Sequence, residues 1–263
     1  MRLLEGNKVN NYEDLIMTKK EKKEVFVPQN ILNRYGKEFF LNRLLIKDKT
    51  AYYMKYDSVI NELIGSYLSN VLNLENVNYE LAQREGYFFI ISKLFYEEKY
   101  DYFFAADYKH SIKIENVKKR PNGYKDHLKL LHKNILIKIL KLIAVDIKMG
   151  QYDRHEWNIM FKKNKSDKTL DLAPIYDFSN SYDVLEVWDD CYNNSFINMN
   201  CDKKDIKTLI DTYPTIKEYF YTLRNISVEN ILKELEKQYG IKIDEYGKIN
   251  RIRLDKKYTK RLY

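Results

Sequence analysis

Between Lys125 and Met149 the chain sets Leu128, Leu131, Ile135, Leu136, Ile139, Leu140, Ile143, Ala144 and Ile147 at helical spacing, and no other stretch constrains the fold as strongly. Such a run predicts a long, well-buried helix. Gly150 is placed to end it, because a residue without a Cβ enters the left-handed conformation that closes a helix. Whatever follows Gly150 therefore emerges as a loop from a core support.

That loop reads Gly150-Gln151-Tyr152-Asp153-Arg154-His155-Glu156-Trp157-Asn158 and runs on into Ile159-Met160-Phe161. Downstream lies Leu172-Ala173-Pro174-Ile175-Tyr176-Asp177-Phe178-Ser179. A phosphoryl-transfer site needs a carboxylate to orient a hydroxyl nucleophile, and an amide and a second carboxylate to hold magnesium. Asp153 is the candidate catalytic base, able to accept a hydrogen bond from the acceptor hydroxyl and take its proton late in transfer. Asn158 and Asp177 are the candidate metal ligands, one a neutral oxygen and the other a hard anion. Two short strands, 158–162 and 169–173, joined by the polar turn 163–168, would fold Asp177 back towards Asp153 and Asn158.

Upstream, the first thirty or so residues read as an irregular lead-in, and Asn33-Arg34-Tyr35-Gly36-Lys37 as a simple turn. A β-hairpin is expected from 39–46 and 50–56. Ser58 is the expected N-cap of a helix to about Leu72, followed by an extended piece near 77–81 and a strand over 86–94. The aromatic and acidic stretch from Phe95 to Tyr108 is expected to link two lobes, 1–95 and 96–263. Lys55, at the end of the hairpin, can pair with nucleotide phosphates, and Glu62, one turn into the next helix, can hold that lysine. Ile91 and Lys93 complete the expected nucleotide-binding set. The remaining chain reads as largely helical, with an amphipathic segment from Ser227 to Tyr239 stopped by Gly240.

Composition narrows the setting. With 263 residues, 44% of them hydrophobic, the chain can bury one large core or two lobes despite its charge. The net charge of +8 is spread over interspersed lysines, which favours a solvated surface over a nucleic-acid face. Only the tail is locally basic, with Arg251, Arg253, Lys256, Lys257, Lys260 and Arg261. Cys191 and Cys201 suit neither a metal cluster nor a disulfide framework, which suggests a reduced compartment. No signal peptide or bilayer-spanning run is read, so the expected location is cytoplasmic, in a bacterium or in a host cell receiving the protein as an effector.

The segments Tyr152-Asp153-Arg154-His155-Glu156-Trp157-Asn158 and Leu172-Ala173-Pro174-Ile175-Tyr176-Asp177 resemble the catalytic and metal-binding motifs of the HipA-like serine/threonine kinases. Tyr53-Met54-Lys55 and Asn61-Glu62-Leu63 look like that family's phosphate lysine and Asn-Glu helix. The resemblance implies an α+β, bilobal protein-kinase-like fold with a small β-rich N-lobe and a mainly helical C-lobe. It also implies ATP and Mg2+ as cofactors, a protein serine or threonine as acceptor, autophosphorylation in some members, and an antitoxin partner in others. Arg154 and His155 are expected to brace the loop. The chain is too short for the long HipA amino-terminal subdomain, so the compact, stand-alone members are the better comparison. Gly36 is a single glycine where a glycine-rich phosphate loop is expected. Asp153-Arg154-His155, Asn158 and Asp177-Phe178 also look like the phosphatidylinositol kinases, although those carry a glycine where Ser179 stands. A nucleotide-binding pseudokinase without turnover is the alternative outside enzyme function.

Overall fold

The structure, a computed structural model, describes residues 10–11, 24–47, 50–84, 87–107, 128, 131–151, 154–178, 192–194, 199–201 and 203–243. The amino-terminal part comprises β1 (Asn10–Asn11), α1 (Gln29–Tyr35), α2 (Lys37–Asn42), β2 (Leu44–Lys47), β3 (Thr50–Lys55), α3 (Val59–Val71), β4 (Tyr79–Arg84) and β5 (Tyr87–Lys93). Then come β6 (Tyr100–Phe104), α4 (Lys133–Met149), β7 (Met160–Asn164), β8 (Leu170–Leu172), β9 (Tyr192–Asn194), β10 (Met199–Cys201), α5 (Lys203–Thr212), α6 (Ile216–Arg224) and α7 (Val228–Tyr239). The class is α+β, with a small sheet region and a helical part.

Five strands form the first sheet in the order β1-β4-β5-β3-β2, all antiparallel neighbours except β1 beside β4. Opposite partners are Tyr53 with Ser92, Met54 with Ile91 and Lys55 with Ile90. Because side chains alternate across a strand, Lys55 and Tyr53 share one face while Met54 and Ile91 share the other. Met54 and Ile91 pack there with Leu45, Ala82 and Phe89. A second sheet, β6-β7-β8, carries the hairpin expected around 163–168.

Helix α4 is the centre of the largest core cluster. Ile135, Ile139, Leu142, Ile143 and Val145 are at most 1% exposed and pack with Ile60, Ile64 and Leu68 of α3 and Ile231 of α7. At about 1.5–3 kcal/mol per fully buried aliphatic side chain, this shared layer ties α3 to α4 and α7. The same cluster takes residues from both sides of residue 95. A second cluster joins Ile31 and Phe40 of α1 and α2 to Phe104, Met160 and Ala173 beside the second sheet.

Several expectations are corrected. The first hairpin strand begins at Leu44, because Phe39-Phe40-Leu41-Asn42 turn as helix and bury Phe40. Gly36, at φ 81°, joins two short helices. The stretch after Phe95 is not merely a link: Tyr100–Phe104 is a strand paired to β7, 56 to 64 positions further along the chain. The long helix starts at Lys133 rather than near Lys125. Ser58 holds the N-cap position at φ 54° without a side-chain cap, whereas the Ser227 hydroxyl does accept from the Asn230 amide. Gly150 and Gly240 both close their helices in the left-handed conformation, at φ 61° and 64°. Among the described residues no helix is long and apolar enough to cross a membrane. The basic tail, most of the lead-in, Cys191 and the catalytic candidate Asp153 lie outside the described residues.

Candidate active site

The site is built from the end of α4 outwards. After Gly150 the amide of Gln151 returns to the Asp146 carbonyl at 2.9 Å, so the chain leaves the helix in a fixed direction. Arg154 then folds back into the interior and is fully buried. Its Nε and Nη2 donate to the two carboxylate oxygens of Asp146 at 3.0 and 2.9 Å. Nη1 donates to the Tyr176 carbonyl at 2.8 Å and the Asn158 carbonyl at 3.3 Å. One guanidinium thus fastens the helix end, the loop and the segment entering Asp177. His155 plays a smaller part, its Nδ1 accepting from the Trp157 amide at 3.2 Å. The Tyr176 hydroxyl donates to the Trp157 carbonyl at 2.9 Å, tying the same two segments again.

From the first sheet, Lys55 reaches this support. Its ammonium donates to Glu62 Oε1 and, at 2.9 Å, to Asp177 Oδ1, a contact across 122 positions of sequence. Burial opposes the charge on Lys55, but Glu62 and Asp177 outweigh it and hold the group above the ordinary lysine value. It is therefore a cation throughout the physiological range. Glu62 is wholly enclosed, and burial raises its carboxyl, with Lys55 acting in the opposite direction and Asp177 reinforcing the rise. Asp177 sits at φ 63°, in the left-handed region that costs an L-residue other than glycine of order 1 kcal/mol. Gln151 Nε2 donates to its carbonyl at 3.0 Å.

The turn from α3 to β4 secures the other side. The Val77 amide donates to the Ile175 carbonyl at 2.8 Å, and the Ile175 amide donates to the Glu75 carbonyl at 3.0 Å. Asn76, 8% exposed, accepts from the Ser66 hydroxyl at 2.7 Å and donates to Asn70 Oδ1 at 2.8 Å. The helix carrying Glu62 and the segment leading to Asp177 are thereby stitched together independently of Lys55.

In front of these groups lies a cavity of about 450 Å³, within the size range of small-molecule sites. Lys55 and Asp177 form part of its wall with Tyr35, Tyr53, Tyr96 and Tyr176. Burial first, and then the charge on Asp177, push the Tyr35 hydroxyl up to about 12, so it stays neutral. Of the sequence candidates, Lys55, Glu62 and Asp177 come together, Asn158 is held in the adjoining loop by Arg154, and Lys93 lines the cavity. Ile91 does not join them. Its side chain is buried in the cluster around Phe89 and is not part of the cavity wall.

Among the described residues no three histidine, cysteine or carboxylate side chains gather into a metal cluster. Magnesium does not require one: it is held by one or two carboxylates together with substrate phosphates and water. The Asp177 carboxylate, 27% exposed beside a fixed cation, fits that pattern. Asp146 and Gln151 were missed from the sequence. The available signal was an aspartate set between Val145 and Ile147 in the most apolar part of α4, where a buried charge needs a partner.

No protein-family model and no curated protein sequence matches the chain. Among solved structures it is similar to the Helicobacter pylori proinflammatory kinase CtkA, at 15% identity over 74% of this chain and 90% of that one, with a TM-score of 0.49. It is also similar to HipA in the complex of the Shewanella oneidensis MR-1 toxin–antitoxin proteins HipA and HipB with operator DNA. There the identity is 12% and the TM-score 0.49, covering 74% of this chain and 56% of that HipA chain.

Proposed function

We propose that the protein is an ATP- and magnesium-dependent kinase of HipA-like type, transferring the γ-phosphoryl group to a serine or threonine hydroxyl of a protein. The observation that carries this is the Lys55–Glu62–Asp177 cluster, whose Lys55 and Asp177 line the cavity. A buried glutamate fixing a strand lysine, which in turn meets the carboxylate of a loop–hairpin segment, is the arrangement phosphoryl transfer uses to place phosphates against metal. Lys55 would hold nucleotide phosphates, and Asp177 with Asn158 would hold magnesium. The metal, when bound, neutralises charge on the phosphates. Asp153, two positions after Gln151, would accept the proton of the acceptor hydroxyl. Arg154 would act on Asn158 and Asp177 by holding their segments in position, through its bonds to Asp146 and to the Asn158 and Tyr176 carbonyls.

The HipA-like motif order favours a protein acceptor, an antitoxin-type partner and a cytoplasmic setting. Incubation with γ-labelled ATP, magnesium, a protein panel and phosphoinositide vesicles separates the acceptors. Label in protein, lost in Asp153→Ala while ATP binding persists, is the expected result. Label confined to lipid would overturn the protein acceptor, and ATP binding with no labelling at all would make the protein a pseudokinase.

A further inference from the structure

One side of α3 carries Glu62, Gly65, Ser66 and Ser69, spaced three, four and seven positions from the glutamate and therefore on one face of the helix. Glu62 takes Lys55, and Ser66 takes Asn76. Gly65 takes something larger. A Cβ placed on it would lie 2.2, 2.5 and 2.6 Å from Cγ, Cδ2 and Cδ1 of Phe178. Carbon atoms rest at about 3.5–4.0 Å, so the Phe178 ring occupies the very space a side chain at residue 65 would need.

Phe178 is the residue immediately after Asp177, is fully buried, and has the Arg154 guanidinium 5.2 Å from its ring centre on another side. Its ring is held between the helix that supplies Glu62 and the arginine that organises the loop. Gly65 is inside the helix, where glycine costs about 1 kcal/mol relative to alanine. Its helical conformation gives no reason for it, since the left-handed residues do not include it. The close approach of the ring is a sufficient reason.

We infer that Gly65 and Phe178 are a positioning pair: the ring seats in the notch left by the missing Cβ and so fixes Asp177 at bonding distance from Lys55. Neither residue touches nucleotide or metal; both act through the Asp177 carboxylate. The consequence is that the Lys55–Glu62–Asp177 cluster is assembled by packing within the chain, before any ligand arrives. The metal-holding role of Asp177 rests on the kinase reading, but the seating of the ring does not.

The test is a set of three variants, Gly65→Ala, Phe178→Leu and Gly65→Ala with Phe178→Leu, each crystallised and each titrated with ATP in the presence and absence of magnesium. In Gly65→Ala the ring must retreat by roughly 1 Å or more to reach normal contact. The Lys55 Nζ to Asp177 Oδ1 separation should then open from 2.9 Å to beyond hydrogen-bonding distance. Magnesium-dependent ATP affinity should fall at least tenfold while magnesium-free ATP binding changes less than threefold. The smaller leucine leaves room for the new methyl, so the double variant should restore both the separation and the affinity to within threefold of Phe178→Leu alone. A Gly65→Ala protein that keeps the 2.9 Å contact overturns the inference, and so does a double variant that recovers neither fold nor separation. If the unmodified protein shows no magnesium-dependent ATP binding, the kinase reading fails, and the separations in the crystals still decide the positioning pair.

Discussion

Two charged clusters join distant parts of this chain, and they are built differently. Around Arg154 the pairing with Asp146 is sealed, both side chains at 0% exposure, with the remaining guanidinium bonds made to main-chain carbonyls. Around Lys55 only Glu62 is sealed, while Lys55 and Asp177 keep 16% and 27% of their side-chain surface open at the cavity. A closed, fully bonded cluster serves architecture. One whose outer members stay open to a cavity, next to an aspartate in a left-handed backbone conformation, retains capacity for a ligand.

The sharpest contrast is in stability. Arg154→Ala leaves Asp146 enclosed without a counter-charge and should cost about 3–5 kcal/mol, read by urea denaturation. A loss under 1 kcal/mol would mean that the sealed cluster does not hold the loop. Lys55→Met should cost less, about 1–3 kcal/mol near neutral pH, because Glu62 can take up a proton. Its carboxyl is already raised by burial, and without Lys55 it rises further. A group with a raised folded-state value contributes stability that is complete below its unfolded value and lost as pH climbs through the folded one. The Lys55→Met deficit should therefore shrink on acidification from pH 7.5 towards pH 5, and a deficit that grows instead would contradict this account of Glu62.

Smaller effects probe the borders of the two clusters. Tyr176→Phe removes the bond to the Trp157 carbonyl and should cost about 1 kcal/mol. Asp177→Gly should change stability by no more than about 1 kcal/mol in either direction, since glycine accepts the positive φ that aspartate is made to adopt. Its magnesium-dependent ATP binding should nevertheless vanish. A destabilisation as large as that of Arg154→Ala would place Asp177 with the architecture instead.

What the sequence made legible follows the same division. The meeting of Lys55, Glu62 and Asp177 was readable because a phosphoryl-transfer reading asks for those residue types in that order along the chain. The hairpin from β7 to β8 and the stop at Gly150 were readable because local turn and cap preferences agree with the final fold. Asp146 was hidden because an aspartate in a helix ordinarily faces water, and only its distant arginine reveals otherwise. Strand β6 was hidden because its partner β7 comes after the whole of α4. The aromatic run at Phe39-Phe40-Leu41 has a local preference for strand, which the burial of Phe40 against the second sheet overrides. Ile91 is buried in the cluster around Phe89, which the sequence alone does not reveal because alternation defines two faces of a strand without saying what covers each.

Isothermal titration of the unmodified protein and of Asp177→Asn with ATP, at zero and at millimolar magnesium, bears most directly on the claim that the Lys55–Glu62–Asp177 cluster is a nucleotide–metal site. The unmodified protein should bind ATP at least tenfold more tightly with magnesium, and Asp177→Asn should show no magnesium dependence. Equal binding by the two proteins, or affinity of the unmodified protein that ignores magnesium, would contradict it.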